Sequence, residues 1–400
     1  LAEKFRWVDT AARMVQAARA WSEGRSIVAP RIGWVTTWNT KCGIATYSEH
    51  LTKNMPSGVQ VLAAYTQEPT AEDHSNVVRC WSTGDNDLLT EIEQVIASRK
   101  INVLIIQFNY GFFNFDHFSN FLHRQKLAGL KVLLVLHATN DPPHAPHKKI
   151  SFLVPAMARC DRILVHSIGD LNRLKALGLV HNVTLFPHGV LNFEPPAKNL
   201  PPATGEFVVA SYGFFLPHKG LPELISAIEI LHQKGMKIRL KMVNAEYPAP
   251  ESRLAIEQAK SMVAKKGLHQ IIEFNTEYLP DVKSMQMLSG ADLIIFPYQE
   301  TGESASGAVR YGIACGCPVA VTPLGIFDDV APAVHFLPGT SPQAIADGIS
   351  TLAQDIAAAA PHFMEKNAAS ERWRNEHKYS KLGVRIHGLI SAVSQVAHPA

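Results

Sequence analysis

One stretch of the sequence, residues 293–322, gathers the side chains best suited to chemistry. An apolar run of strand length leads into a polar loop, and a short helical segment follows that ends at Gly316 and Pro318 before the next apolar run. The loop and the start of the helix carry carboxylates, hydroxyls and a glycine, namely Glu300, Glu303, Ser304, Ser306 and Gly307.

The start of this predicted helix is a candidate anion site. The first turn of a helix has unpaired N–H groups and the positive end of the helix dipole, and both attract an anion such as a diphosphate. Glu303, directly before the helix, can accept hydrogen bonds from sugar hydroxyls. Together they predict a nucleotide-sugar site. The alternative is an ordinary turn, because glycine and serine precede many helices in α/β proteins without binding anything.

The wider pattern resembles the donor-site motif of family 4 retaining glycosyltransferases, which are two-domain enzymes with the GT-B fold. That motif has a Glu, seven residues, a second Glu and then a helix end with Gly-x-Pro-Val. Glu303 and residues 316–319 (GCPV) are in register with it, whereas Tyr311 occupies the position of the second Glu, which binds ribose in the family. The resemblance covers roughly residues 30–395 and is strongest at 207–322.

The resemblance also implies which charges hold the donor diphosphate. The family loop corresponding to residues 213–220 (GFFLPHKG) holds an Arg and a Lys for this purpose; Lys219 occupies the Lys position, but Phe214 replaces the Arg. We expect Arg310, in the motif helix, to supply the missing charge with a guanidinium suited to phosphate, the alternative being a surface salt bridge. Lys219, Arg310, Glu303 and His137 form the predicted catalytic set. The predicted donor-binding residues are Gly213, Ser304, Ser306, Gly307 and Tyr311.

Polar residues follow the predicted strands of the first half of the chain, where ligands gather in open α/β sheets. His137 follows the strand predicted at 132–136 and matches the cleft histidine of the family, which implies a place near the reactive face of the sugar. A glycine-containing loop at 38–44 corresponds to a family loop that faces the cleft and helps to place the acceptor. The acceptor or cleft candidates are Lys41, Gly43, Gln107, Asn109 and Asp141.

No metal and no cofactor is expected beyond the nucleotide sugar, which is a substrate. Asp85 and Asp87 resemble a metal-binding Asp-x-Asp motif of another fold, but we interpret them as the N-cap of a helix at 88–98. The Cys315/Cys317 pair and the histidines of the basic loop at 141–151 lack the further ligands that a closed zinc site needs. That loop is instead predicted to be a mobile, basic acceptor loop.

Composition narrows the class of protein. Four hundred residues with 46% hydrophobic content predict two or three domains, and a formal charge of +3 argues against a dedicated nucleic-acid binder. No apolar run reaches the length of about 18 residues that spans a membrane. Basic residues interrupt the N-terminal segment, which argues against a signal peptide, and five scattered cysteines suit a reducing cytosol. We expect a cytoplasmic protein and leave open peripheral association with the inner face of the membrane.

The predicted fold class is α/β GT-B, with two Rossmann-like doubly wound domains facing a central cleft and a C-terminal helix that crosses back to the first domain. The predicted boundaries are a linker helix at 1–24, an acceptor domain at 25–195, a donor domain at 206–375 and the crossing helix at 376–400. A proline-rich linker at 192–205 separates the domains. The chain starts at Leu1 rather than Met, so a piece of a longer protein is one expectation.

The resemblance implies a retaining glycosyltransferase that moves a sugar from a nucleoside-diphosphate sugar to a hydroxyl of a growing glycan or lipid-linked acceptor. The expected setting is bacterial surface-polysaccharide synthesis, with mannose from a guanosine donor as the more specific expectation. Two rival interpretations stay open. One is a non-catalytic carbohydrate- or nucleotide-binding domain of a larger synthase, which the loss of the Glu and the Arg favours. The other is a sugar-nucleotide epimerase on the same fold.

Overall fold

The computed structural model describes residue 15 and residues 30–196, 205–301 and 303–395. The linker helix predicted at 1–24 and residues 197–204 of the proline-rich segment lie outside the described residues, apart from residue 15.

The first domain is built on a parallel sheet of seven strands. In chain order these are β1 (Ile32–Thr36), β2 (Gln60–Ala64), β3 (Val77–Trp81), β4 (Val103–Phe108), β5 (Lys131–Leu136), β6 (Arg162–Val165) and β7 (Val183–Leu185). Their spatial order is β3-β2-β1-β4-β5-β6-β7. Every residue of β1 and β4 is buried, because helices cover both faces of a parallel sheet and favour continuous apolar strands.

The second domain repeats this plan with six parallel strands. They are β8 (Phe207–Phe214), β9 (Ile238–Ala245), β10 (Ile272–Asn275), β11 (Leu293–Phe296), β12 (Val319–Val321) and β13 (His335–Phe336). The spatial order is β10-β9-β8-β11-β12-β13. The strand order reverses beside β1 in one sheet and beside β8 in the other. Such switch points are where ligands bind, outside the carboxyl ends of the strands.

Helices connect the strands and cover the sheets. The first domain has α1 (Gly43–Lys53), α2 (Thr90–Ser98), α3 (Phe115–Leu127), α4 (Val154–Met157) and α5 (Ile168–Ala176). The second has α6 (Leu221–Gln233), α7 (Pro250–Lys265), α8 (Asp281–Ser289), α9 (Gly307–Ala314), α10 (Pro342–Ala357) and α11 (Pro361–Glu376), and α12 (Tyr379–Gln395) follows. Short 3₁₀ turns occur at Ile150–Leu153, Pro217–Lys219 and Gly325–Ala333. Within the described ranges, no helix is both long and apolar enough to cross a membrane.

The last helix, α12, packs back on the first domain. Tyr379, Leu382 and Ile386 recur at helical spacing and belong to one buried cluster with residues of the first sheet. A Cβ atom at Gly383 would lie 2.0 Å from the backbone oxygen of Asn54, just after α1, so this close approach requires glycine. The two doubly wound domains and the returning helix confirm the predicted GT-B fold. The predicted domain boundaries stay a prediction.

Four observed elements are not predicted from the sequence: β3, α3, α4 and α11. The first three residues of β3, an edge strand, are only half-buried, and α11 buries three of its sixteen side chains. β3 and α11 therefore show no strong apolar periodicity.

The N-cap interpretation of the Asp85/Asp87 pair is wrong. The helix begins at Thr90, and Leu89 precedes it without a side-chain cap. Asp87 instead accepts hydrogen bonds from the backbone amides of Ser82 and Leu89, and Asp85 pairs with Lys148 at 2.6 Å. Asp87 therefore holds a turn together, because a short carboxylate can satisfy nearby backbone amides outside a helix, and Asp85 anchors Lys148.

Candidate active site between the two domains

Lys219 and Glu303 meet at the predicted donor site. The Nζ atom of Lys219 lies 3.0 Å from Oε2 of Glu303 and 4.0 Å from the ring centroid of Tyr298. The Lys219 residue is 8% exposed, whereas the Glu303 side chain is 47% exposed. Burial alone would lower the pKa of Lys219, but Tyr298 and Glu303 outweigh it and hold that pKa above its usual value. The site therefore contains a buried, charged ammonium with one accessible carboxylate partner.

Gly220 allows the turn Pro217–Lys219 to pack against the end of β11, the strand that precedes Glu303. Its φ is +66°, and a Cβ atom would lie 1.8 Å from the backbone oxygen of Pro297. Only glycine fits both the left-handed backbone and this contact. Lys219, which ends the turn after β8, is thereby held beside the loop that follows β11.

The start of α9 has the geometry of an anion site. Ser306 caps the helix, its Oγ accepting from the Val309 amide and lying 3.0 Å from the Tyr298 hydroxyl. Gly213, at the end of β8, presses on this turn: its φ is +121°, and a Cβ atom would lie 3.0 Å from that of Ala308. By position, the first amides of α9 have no partner within the helix. Gly213, Ser306 and Gly307 thus lie together beside the Lys219 loop.

Arg310 has a buried partner, so the surface salt bridge considered above is excluded. The residue is 1% exposed, its guanidinium pairs with Asp329, and its Nη1 donates to the backbone oxygen of Ser306. To contact a diphosphate, the guanidinium would have to leave Asp329. The assignment of Arg310 to the diphosphate stays a prediction.

Aromatic packing occupies the two positions that depart from the family pattern. The ring of Phe214 packs edge-on against Tyr247, with centroids 5.0 Å apart, and stacks on Tyr278 at 5.9 Å. Tyr311 stacks on Tyr212 at 4.5 Å, and its hydroxyl donates to Oδ1 of Asp281 at 2.7 Å. The hydroxyl of Tyr311, at the position of the ribose-binding Glu of the family, therefore already has a protein partner.

Contacts between polar side chains join the two domains across the cleft. The Ser304 hydroxyl donates to Oδ1 of Asp170 at 2.9 Å, and Nε2 of His50 lies 3.1 Å from Oδ2 of Asp281. Asp170 is 2% exposed and lies in the first turn of α5, where it also accepts from Ser167 at 2.6 Å. The loop between β11 and α9, which carries Glu303 and Ser304 and is called the donor loop below, is therefore held by a buried carboxylate of the first domain.

His137 lies on the first-domain side of the cleft and is half-buried. Its Nε2 is 2.7 Å from Oε1 of Gln107, and an amide oxygen makes that nitrogen the donor. Nδ1 is then left as an acceptor. Burial, with a smaller effect from His166, lowers the pKa of His137 well below its usual value. His137 is therefore neutral near pH 7 and accepts hydrogen bonds.

The other predicted cleft residues have separate surroundings. Asn109 accepts from the Gly111 amide, and Asp141 accepts from the Tyr110 hydroxyl and the Ile150 amide, so both organise their own loops. Lys41 is half-buried and Gly43 exposed, both at the start of α1.

The basic loop contains a buried lysine, which the sequence analysis does not anticipate. Lys148 donates to the backbone oxygens of Tyr110 and Phe113 and pairs with Asp85. This lysine therefore anchors the loop and is not free for a ligand.

Sequence reasoning missed the residues that join the domains, above all Asp170, His50 and Asp281. The Ser167-x-x-Asp170 spacing marks a helix start. Nothing local in it indicates a contact with Ser304, 134 residues away.

No group of three or more His, Cys, Asp or Glu side chains arranged to hold a metal occurs in the described part of the chain. Cys315 and Cys317 are both buried.

Comparison with known proteins finds a family match within the second domain. Residues 206–355 match the family described as glycosyl transferases group 1. No curated protein matches the chain.

Solved structures share the fold at low identity. Sucrose-phosphate synthase (tll1590) from Thermosynechococcus elongatus has a TM-score of 0.71 at 15% identity, over 91% of this chain and 99% of that one. Alr3699/HepE from Anabaena, in complex with UDP, has a TM-score of 0.71 at 13% identity, over 90% and 100%. An E. coli trehalose-6-phosphate protein bound with UDP-2-fluoro glucose has a TM-score of 0.64 at 12% identity, over 92% and 100%. The second domain therefore matches a glycosyltransferase family, and the whole chain shares the GT-B fold of these structures.

Proposed function

We propose that the chain transfers a glycosyl group from a nucleoside-diphosphate sugar to a hydroxyl of a growing glycan or lipid-linked acceptor, with retention at the anomeric carbon. The observation that carries this proposal is the Lys219–Glu303 pair beside the start of α9. A buried ammonium suits a leaving phosphate and an exposed carboxylate suits sugar hydroxyls, and the two groups lie 3.0 Å apart.

Lys219 and the first amides of α9 stabilise the charge that develops on the departing diphosphate. When the diphosphate takes Lys219 as its partner, Glu303 is released to orient the sugar. His137 presents an acceptor nitrogen near the reactive face. Arg310 would join the diphosphate only by exchanging Asp329 for it. Retention and front-face departure come from the family resemblance alone.

Uridine diphosphate sugars are the first donors to test, because structures with this fold were solved with UDP and UDP-glucose. GDP-mannose, the donor favoured by the sequence analysis, is the second. We place the reaction in bacterial surface-polysaccharide synthesis at the cytoplasmic face of a membrane, without a metal.

The test combines binding with product analysis. Thermal unfolding of the chain with UDP, GDP, ADP and their sugar derivatives should show a rise in Tm for one base, because ligand binding stabilises the folded state by mass action. NMR of the product formed from that donor then reports the anomeric configuration. An inverted product would refute retention, and the absence of any nucleotide-dependent rise in Tm would refute the donor assignment.

One observation favours the rival function of binding without transfer. Arg310 is paired with the buried Asp329, and Phe214 replaces the other expected cation. Of the three diphosphate positions, only Lys219 therefore has a cation whose carboxylate partner is accessible. A protein that binds the nucleotide sugar yet neither hydrolyses nor transfers it would support this rival.

A further inference from the structure

A group of packed rings covers the carboxyl edge of the first sheet, where it meets the second domain. The Tyr47 ring lies 5.0 Å from His137, 5.4 Å from His166 and 4.6 Å from His188, measured between centroids. His137 and His166 are 4.9 Å apart. We call Tyr47, His137, His166 and His188, with Gln107 bonded to His137, the ring cluster.

Three polar atoms of the ring cluster are buried without a hydrogen-bond partner in the described structure: Oη of Tyr47, Nε2 of Gln107 and Nε2 of His166. Their residues are 1%, 0% and 1% exposed. Burying such atoms unpaired is costly, so several of them in one place require an explanation. Two of these side chains have a second polar atom that does have a partner. Oε1 of Gln107 is bonded to His137, and Nδ1 of His166 is bonded to the backbone oxygen of Phe186.

The bonded atoms determine what the free atoms offer. Because the Phe186 carbonyl can only accept, His166 donates from Nδ1, and its free Nε2 is an acceptor. The free Gln107 nitrogen is a donor, and the Tyr47 hydroxyl is both. Sugar hydroxyls donate and accept at once, so they match this set. A phosphate oxygen only accepts, so it would leave His166 Nε2 unmatched.

The ring cluster is also uncharged. Burial lowers the pKa of His166 to about 4 and lowers the pKa values of His137 and His188 well below normal. Burial likewise raises the pKa of Tyr47. The nearby cation, Arg310, is neutralised by Asp329. An anionic group would therefore enter without a counter-charge, whereas an uncharged sugar would not need one.

The ring cluster adjoins the donor loop. Asp170 accepts from Ser304, which directly follows Glu303, and the charge of Asp170 acts on His166. A ligand at the ring cluster would therefore lie next to the predicted donor site, once the domains part enough to admit it.

On the basis of the proposed function, we propose that the ring cluster is the acceptor subsite, that it takes an uncharged sugar ring, and that Tyr47, Gln107 and His166 select it by binding its hydroxyls.

The first test needs no variant. With the full chain and its donor, transfer to methyl glycosides of glucose, mannose and galactose is compared with transfer to glucose 6-phosphate and mannose 6-phosphate. We expect at least one neutral glycoside to have a kcat/KM about tenfold or more above any sugar phosphate. The reverse preference would overturn the inference.

The second test removes a single oxygen. Tyr47→Phe should lower the ratio of transfer to donor hydrolysis about tenfold, as the loss of one hydrogen bond in the transition state predicts. Its Tm should not fall, because the lost hydroxyl has no partner in the protein. Tyr65→Phe is the matched control, since that hydroxyl is bonded to Glu91 on an exposed edge, and it should leave the ratio unchanged.

Three results would contradict the assignment. An unchanged ratio with a lower Tm would show that Tyr47 holds a structural water. Equal falls in transfer and hydrolysis would assign the ring cluster to the donor sugar. Donor hydrolysis without transfer to any neutral glycoside would refute this inference alone, whereas absence of nucleotide binding would refute the proposed function.

Discussion

Ser304, in the donor loop of the second domain, donates a hydrogen bond of 2.9 Å to the buried carboxylate of Asp170 in the first domain. Asp170 also accepts from Ser167 and from Thr139, so its orientation is set within the first domain. Ser304, which directly follows Glu303, is thus held against a fixed point of the first domain.

The first prediction tests that fixed point. Ser304→Ala removes the cross-domain bond alone, and we expect kcat/KM for the donor to fall about tenfold, which corresponds to ~1.4 kcal/mol. The Tm should change little, because Asp170 keeps its other partners. Ser306→Ala is the contrasting variant, since loss of that helix cap should cost about 1 kcal/mol of stability. Normal kinetics in Ser304→Ala would show that the contact plays no part in turnover.

Glu303→Gln should reduce turnover a hundredfold or more, on the order of 3 kcal/mol, while the fold stays intact. The amide keeps the size of the side chain but loses the charge that pairs with Lys219 and orients hydroxyls. Steady-state kinetics and circular dichroism measure the two effects. Glu300→Gln, three residues earlier on the exposed loop, serves as the control. Equal rates in the two variants would remove Glu303 from the mechanism.

Arg310→Ala separates two roles of one residue. The buried pair with Asp329 predicts a loss of about 3–5 kcal/mol in the free energy of unfolding, because an unpaired buried carboxylate remains. Asp329→Asn should also be destabilised, because it leaves the buried guanidinium of Arg310 unpaired, and denaturant unfolding measures both changes. If Arg310 also binds the diphosphate, its variant alone should weaken donor binding. A small stability change with a large loss of donor affinity would favour the role assigned from sequence.

Activity should survive a chelator, since we assign neutralisation of the diphosphate to Lys219 and the start of α9. Transfer rates with and without EDTA provide the test. Asp85→Asn and Asp87→Asn should retain full activity per folded molecule, although each loses stability through its broken contacts. Activity that EDTA abolishes and manganese or magnesium restores would contradict the assignment.

The buried histidines predict acid sensitivity. The folded pKa of His166 is about 4, below its unfolded value of about 6.5, so the unfolded chain binds protons first as the pH falls. The stability from neutral His166 is thus present above pH ~6.5 and is lost between pH ~6.5 and ~4. Tm measured across this range should decline, and His166→Asn should decline less steeply. An identical slope in the variant would show that His166 does not titrate there.

The local features of the site follow from sequence. The apolar runs of β4, β5 and β11, the Ser306 cap and the stop at Gly316 all arise from interactions within a few residues, so composition and spacing predict them. The resemblance located Lys219 and Glu303, and the structure places them in contact.

Tertiary packing decided which partner each polar group has. Arg310 and Tyr311 lie side by side on α9, and helical periodicity separates their directions but does not say what each faces. Packing of the Gly325–Ala333 turn gives Arg310 the carboxylate of Asp329, and packing of α8 gives Tyr311 that of Asp281. The Ser304–Asp170 and His50–Asp281 contacts join residues of different domains. These cross-domain partners are distant in the chain, and only the energy of burying both domain surfaces together selects them.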